Sequence, residues 1–317
     1  MADPVALAAL AFDAAVGWPT ALYRRVGHPV GLFARMIAAC ERRWNRPQLG
    51  AQRRRILGVF TVVILIAVVA GGATLLHLLV ERLLGSLWWI GVALLSWPAL
   101  ALRSLYNHVL PVAAALRGGD LEGARQAVSM IVGRDTSTLD EAGVARAAIE
   151  SLSESFCDGI VAPMFWLLVA GLPGVWAYKA INTADSMIGH REERWRAFGW
   201  AAARTDDLLN LVPARIGGVI ICVAGLGGWK TLWRDHARHA SPNAGWTEAA
   251  MAGALDLRLA GPVLYDGLVS HKEWIGDGRV AADADDVARA LRVYVRACLL
   301  LALLVAGAAW GGYRWVP

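Results

Sequence analysis

"ILGVFTVVILIAVVAGGATLLHLLV", Ile56 to Val80, runs for 25 residues without a formal charge. About 20 predominantly apolar residues suffice for a helix to cross a bilayer core, so this run predicts a membrane span. Just before it lies "ERRWNRPQLGAQRRR", Glu41 to Arg55, with six Arg and one acid. Just after it, "ERLLGS" makes a short polar break, and Leu87 to Leu102 is apolar again. The two runs read as a helical hairpin that returns the chain to the Arg-rich side. Arg beside a span marks the cytoplasmic face. The expected location is therefore the cell (inner) membrane, multi-pass, with any active site on the cytoplasmic side.

Composition extends this reading to the whole chain. Of 317 residues, 57% are hydrophobic and 18% charged, against about 45–50% and about 25% in soluble domains. One membrane domain over residues 1–317 is expected. Trp88, Trp89, Trp176, Trp229, Trp310 and Trp315 sit at ends of apolar runs, where interfacial anchors belong. The net charge of +5 follows from the positive-inside bias. No basic-aromatic platform accompanies it, so nucleic acid is not an expected partner; the lipid bilayer is. Cys40, Cys157, Cys222 and Cys298 lie far apart without CxxC spacing, which argues against a disulfide framework or a zinc site. The N-terminus lacks the basic region of a cleaved signal peptide.

Four further apolar stretches follow. Residues 5–17 form a short N-terminal apolar helix containing Asp13. Residues 160–181 are span-length but hold Pro163 and Gly-Leu-Pro-Gly at 171–174, so they read as a broken or re-entrant span. Residues 208–229 are interrupted by Pro213 and Arg215, and residues 298–315 form a final span. The polar segments 103–159 and 230–296 have helical spacing. The expected fold is all-α: a polytopic integral membrane protein with broken or re-entrant helices and amphipathic interfacial helices. Re-entrance would let the acid-rich segments meet on one side.

Those segments carry the chemistry. Thr138 or Asp140 is positioned to cap a helix running to about Phe156. On it Glu150, Glu154 and Asp158 recur every fourth residue, on one face. Like charges so placed destabilise a helix unless a cation offsets them. A solvated acidic face, with Arg146 paired to Glu150, explains the same pattern. Asn182, Asp185, Ser186 and Gly189 fall at helical spacing, as do Asp206 and Asn210. Acid-amide pairs beside an apolar run suit a Mg²⁺-phosphate or polar-substrate cradle, or merely helix caps. "HREERWR", 190–196, reads as surface, Glu193 and Arg194 excepted. Ser241-Pro-Asn-Ala-Gly is a turn whose amides could hold phosphate, with Thr247 as the cap of the next helix. His236 and His239 lack further metal-ligand spacing. "GLGGWKT", 225–231, has Trp229 where a P-loop needs Gly.

Three blocks together resemble one family. They are "ARAAIESLSESFCDGIVAPMFW", "AYKAINTADSMIGHREERWRAFGWAAARTDDLLNLVPAR" and "HASPNAGWTEAAMAGAL" with "RLAGPVLYDG". Asp13, Gly17, Pro19, "HPV" at 28–30 and "GRDTSTLD" at 133–140 fit as well. The chain is similar over nearly its whole length to the adenosylcobinamide-phosphate synthases of cobalamin biosynthesis, the CobD/CbiB proteins. It departs from them at Ser153 and Ser155, where the family has Ala and Asn, and at Trp18 and Ala240.

The resemblance implies an ATP-dependent carbon-nitrogen ligase that joins adenosylcobyric acid to (R)-1-amino-2-propanol or its O-phosphate. It implies Mg²⁺ with ATP as cosubstrate, and it leaves room for a homo-oligomer or contacts with other membrane corrinoid enzymes. The expected catalytic residues are Glu150, Glu154, Asp185, Asp206 and Asp207. Asp185, Asp206 and Asp207 are also the candidate metal ligands. Substrate or phosphate binding falls to Arg134, Asp158, Asn182, Arg194, Arg204, Asn210, Arg215, His239, Ser241 and Asn243. The alternative is a non-catalytic transporter or an assembly or signalling subunit. Its charges would then line the centres of spans, whereas here most lie between them.

Overall fold

The structure is a computed structural model that describes residues 3–265, 268–270 and 273–313. It is all-α apart from four strands of two or three residues, Leu259–Ala260, Val263–Tyr265, Leu268–Ser270 and Trp274–Ile275. By length and apolarity, the described residues hold three helices able to cross a membrane, or up to five if each bent pair counts as one span. The three lie within Ala51–Arg117, Glu141–Ile188 and Ala284–Ala308. On the Ala51–Leu84 helix, Phe60, Val63, Val68, Leu75 and Leu79 point outward while Val62, Leu65 and Val69 are buried. An apolar outer face of this extent has lipid, not water, as its solvent. The protein is a polytopic membrane protein.

The chain forms two compact units. The first comprises residues 1–101, 162–210 and 305–317; the second comprises 102–161 and 211–304.

In the first unit the expected 5–17 helix is Asp3–Val16, followed at a sharp bend of 106° by Thr20–Val26. The expected 56–80 span is the core of Ala51–Leu84. Gly85, at φ +52°, then turns the chain, and Gly91 packs on Val80 and Leu84 as a hairpin requires. The expected 87–102 span needs correction. Its helix is only Trp88–Ser96, closed by a 3₁₀ turn at Trp97–Ala99, because Pro98 has no N–H with which to continue it. The expected break at 171–174 is present: Ala162–Ile188 is kinked at Gly171 (φ +63°), with Pro173 beyond. Gly58 allows a close approach to the 197–199 turn, since a Cβ there would stand 1.9 Å from the Phe198 carbonyl oxygen.

In the second unit, Asp140 caps Glu141–Phe156 by accepting the Gly143 N–H at 2.7 Å, and the helix ends where the sequence indicated. A π-turn over Cys157–Val161 follows. The 208–229 run is a helix only over Leu211–Ala224; residues 200–209 form a separate ten-residue helix. After the Trp229–Asp235 helix and the Ser241-Pro-Asn turn, a helix starts at Ala244 behind Asn243, not at Thr247. Thr247 is inside it, donating to the Ala244 carbonyl at 3.2 Å. The last helix begins at Ala284, well before residue 298, because an amphipathic stretch with Asp285 and Asp286 continues into the apolar run. Its expected end at Trp315 lies outside the described residues, as do Asp266 and Gly267.

Candidate functional site

In the first unit, the C-terminal half of Ala162–Ile188 faces the short helix Trp200–Leu209. Gly199 permits the approach: a Cβ there would stand 1.6 Å from the Ile188 carbonyl oxygen. Trp166 Nε1 donates to the Leu209 carbonyl at 3.1 Å and fixes the other end. Side chains four apart on each helix then meet. Asp206, 8% exposed, accepts from Asn182 Nδ2 at 3.3 Å and from Asn210 Nδ2 at 3.0 Å. The Tyr178 hydroxyl donates to Asn210 Oδ1 at 3.0 Å. That bond orients the amide, so its N–H₂ faces the carboxylate.

Asp206 also feels the charges of Asp185 and Asp207. Two anions near a buried third cost free energy that a cation would recover. Arg204 Nη1 meets Asp207 Oδ2 at 3.1 Å, but with two-thirds of its side chain in solvent, so that pair is weak. Six sequence-predicted residues thus gather here: Asn182, Asp185, Arg204, Asp206, Asp207 and Asn210. Gly189 lies against Asp185, where a Cβ would stand 1.9 Å from Oδ1.

Arg194 belongs elsewhere. Its Nη2 and Nε donate to Glu41 Oε1 at 2.8 and 3.1 Å, and its carbonyl accepts from Asn45 Nδ2 at 3.0 Å. It ties the 193–196 turn to the Pro29–Trp44 helix.

The second unit carries the rest. Arg134 Nη2 meets Glu150 Oε2 at 3.3 Å, and Glu150 Oε1 accepts the Ala260 N–H at 2.9 Å. Arg146, the expected partner of Glu150, donates to the Val280 carbonyl at 2.8 Å. Glu154 is exposed one turn on. Asp158 sits in the π-turn, whose wider turn shifts it out of the α-helical register; such bulges concentrate at functional sites.

Arg215 lies over the Trp246 ring, 4.6 Å from its centroid, and His236 stacks on the same ring at 4.1 Å. His239 Nε2 is 3.6 Å from the buried Glu248. The Ser241-Pro-Asn turn forms, yet its amides are engaged internally. Ser241 Oγ accepts from the Asn243 and Ala244 N–H groups at 3.2 and 3.3 Å, and His239 Nδ1 accepts from Ser241 N–H at 3.0 Å. Among the described residues no three of His, Cys, Asp and Glu are placed to hold a metal ion together.

Sequence reasoning passed over Tyr178, Trp246 and Glu248. Tyr178 lies one turn before Asn182 on the same face, and that spacing was available as a signal. Glu248 and Trp246 became visible only through their partners, His239, His236 and Arg215.

The sequence model of the CobD/Cbib protein family matches residues 6–294. The chain is 50% identical over 303 residues to the "Cobalamin biosynthesis protein CobD" of Rhodobacter capsulatus, covering 94% of each chain. It is 48% identical to the protein of that name from a Sinorhizobium species, covering 93% of this chain and 94% of the relative. With that of Rhizobium meliloti it shares 44%, covering 95% of each. No solved structure matches.

Proposed function

The chain belongs to the CobD/CbiB family, and from that premise we propose that it is an ATP-dependent amide ligase of cobalamin biosynthesis. The reaction joins the free propionate of adenosylcobyric acid to (R)-1-amino-2-propanol or its O-phosphate. One observation carries the reading: the buried Asp206, held by two amides, stands under the charge of two further aspartates. Such a cluster suits a phosphate-bound cation better than it suits a structural core.

A carboxylate is a poor acyl donor. In the proposed reaction its oxygen attacks the terminal phosphorus of ATP, and ADP leaves. The amine nitrogen then attacks the carbonyl carbon of the acyl phosphate, phosphate leaves, and the nitrogen loses a proton.

Mg²⁺ in this role is usually held by one or two carboxylates, phosphate oxygens and water. The donors fit that habit rather than an all-protein cage, because both Asp206 oxygens already accept amides. Asp185 and Asp207 would hold the ion beside the amide-bound Asp206, and the ion would neutralise phosphate charge. Arg204 would take phosphate oxygens beside this cluster, and in the second unit Arg215 would hold an anionic substrate group, since a planar fork grips such oxygens bidentately. Glu150 and Glu154 would serve the amine. Asp158, Asn182, Asn210, His239, Ser241 and Asn243 would line the substrates. The Arg-rich Glu41–Arg55 segment supports placing the site on the cytoplasmic side of the inner membrane.

The test uses the full chain in lipid nanodiscs. ATP consumption that requires both cobyric acid and the amine, with an amide product by mass spectrometry, is the expected result. Corrinoid movement across vesicles without ATP turnover would replace the ligase with a transporter.

A further inference from the structure

Within the second unit, the helix Leu102–Arg117 lies beside the first part of Ala284–Tyr313. At one end the Tyr294 hydroxyl donates to the Leu102 carbonyl at 2.6 Å, and at the other Arg117 Nη2 meets Asp285 Oδ1 at 2.8 Å. The two helices therefore run antiparallel. A groove of about 430 Å³ opens between these ties. Leu110, Ala113, Leu291 and Val295 give it apolar walls, while Arg117, Arg292 and Arg296 give it guanidiniums. No Asp or Glu is among its described lining residues.

Elsewhere at this end of the last helix, charge is matched. The buried Asp286 pairs with Arg279 and Arg289 at 2.8 and 3.0 Å. Arg292 and Arg296 differ, since among the described residues neither has an ion pair or a side-chain hydrogen bond. Both are exposed, and four residues apart they share a helix face and repel each other. Arg117 and Asp285 meet in solvent, with 59% and 84% of their side chains exposed, so that tie is weak. An anion seated in the groove would offset all three guanidiniums.

What continues the same face decides which anion fits. Leu299 and Leu303, three and seven residues past Arg296, carry the exposed face into an apolar run able to cross a membrane. A soluble anion would use the guanidiniums and leave Leu110, Val295 and Leu299 without a partner. A phospholipid uses both, with its phosphate at the guanidiniums and its acyl chains along the leucines. A zwitterionic headgroup would bring its own cation against three Arg, so the lipid must carry net negative charge. Arg beside a span and anionic lipid are both concentrated at the cytoplasmic leaflet.

We propose that this groove binds an anionic phospholipid, which bridges Leu102–Arg117 and the last helix at the membrane surface. The site stands apart from the ligase reading.

Native mass spectrometry of the full chain, delipidated in detergent, tests this by titration with phosphatidylglycerol or phosphatidylcholine. Inorganic phosphate and glycerol 3-phosphate serve as soluble probes. The first phosphatidylglycerol is expected to bind about tenfold or more tightly than phosphatidylcholine, and both soluble probes more weakly than either lipid. Arg292→Gln combined with Arg296→Gln should abolish the preference. Arg42→Gln combined with Arg43→Gln, an exposed pair on the Pro29–Trp44 helix, should keep it. Without lipid, the Arg292/Arg296 variant should melt no lower than wild type, because a like-charge pair is gone. Equal affinity for the two lipids overturns the proposal, as does a preference that survives in the Arg292/Arg296 variant or is lost equally in the Arg42/Arg43 variant. A soluble probe that binds as tightly as phosphatidylglycerol makes the groove a free-anion site and also overturns it. Should the double variant fail to fold, Arg296→Gln alone carries the same comparison.

Discussion

Asn210 donates to Asp206 at 3.0 Å from one turn further along the chain, and the Tyr178 hydroxyl holds that amide in place from the other side. The carboxylate is therefore positioned by neutral donors, while Asp185 and Asp207 press on it electrostatically. This arrangement lowers stability in exchange for a site that attracts positive charge. Replacing Asp206 by Asn should change the melting temperature little, because loss of the buried charge is offset where the new N–H₂ meets one of the two amide donors. Ligase turnover should fall roughly 10²-fold. Asp206→Ala differs, since both amides lose this acceptor, at about 1–3 kcal/mol each. Thermal unfolding in detergent, paired with turnover, separates the two variants. Higher activity in Asp206→Asn would exclude a charge role.

Gly58 should tolerate no side chain. A Cβ there falls 1.9 Å from the Phe198 carbonyl oxygen, and that atom is backbone. Close helix approach through small residues is a main source of packing in membranes. Gly58→Ala should cost about 1–3 kcal/mol through overpacking, read as a lower melting temperature and lower membrane yield. Gly71 and Gly72, on the same helix with nothing within 4 Å of a Cβ, should accept Ala without loss.

Arg194 is expected to matter for stability and not for substrate. Its partner Glu41 is 11% exposed, but Arg194 itself is 64% exposed, so the pair contributes about 1 kcal/mol or less. Arg194→Gln and Glu41→Gln should each lower the melting temperature slightly, and the double variant should be no worse than the worse single one. KM for ATP and for both substrates should stay at the wild-type value. A rise in KM would return Arg194 to the site.

What could be read from the chain was whatever depends on neighbours in sequence. The Ile56–Val80 span follows from apolar length alone, the Asp140 cap from one residue and the turn after it, and the Gly171 break from Gly-Leu-Pro-Gly. Acid-amide pairs four apart marked Asp206 and Asn210 for the same reason. The misses are tertiary. The fold gives Arg194 a partner in Glu41, 153 residues away, that no local pattern announces. The Ser241 turn looked open until its own hydroxyl took the amides. Apolar composition extended the 87–102 run past Trp97–Pro98 because hydropathy does not register a missing N–H.

Acid should unfold the second unit through Asp235. Its side chain is fully enclosed, and Arg234 and Arg238 pair with it at 2.6 and 3.3 Å. It also accepts the Gly276 N–H at 2.9 Å. The Arg234 hydrogen bonds hold its carboxyl below the usual range, with help from Gly276 and Arg238 and against the cost of burial. Arg234 also bonds to Asp277, whose carboxyl is likewise lowered. A depressed folded pKa means that the unfolded chain binds the proton first. The stabilisation is then complete above the unfolded value, about 3.9, and is lost as pH falls through the folded value below it. Melting temperature should thus be flat near neutrality and drop below about pH 4. In Asp235→Asn the neutral-pH melting temperature should fall, because two guanidiniums lose a buried partner, and the acid-side drop should shrink. Melting curves from pH 7 to pH 3 read both effects, and an acid-side drop of unchanged size in Asp235→Asn would assign the titration to other carboxylates.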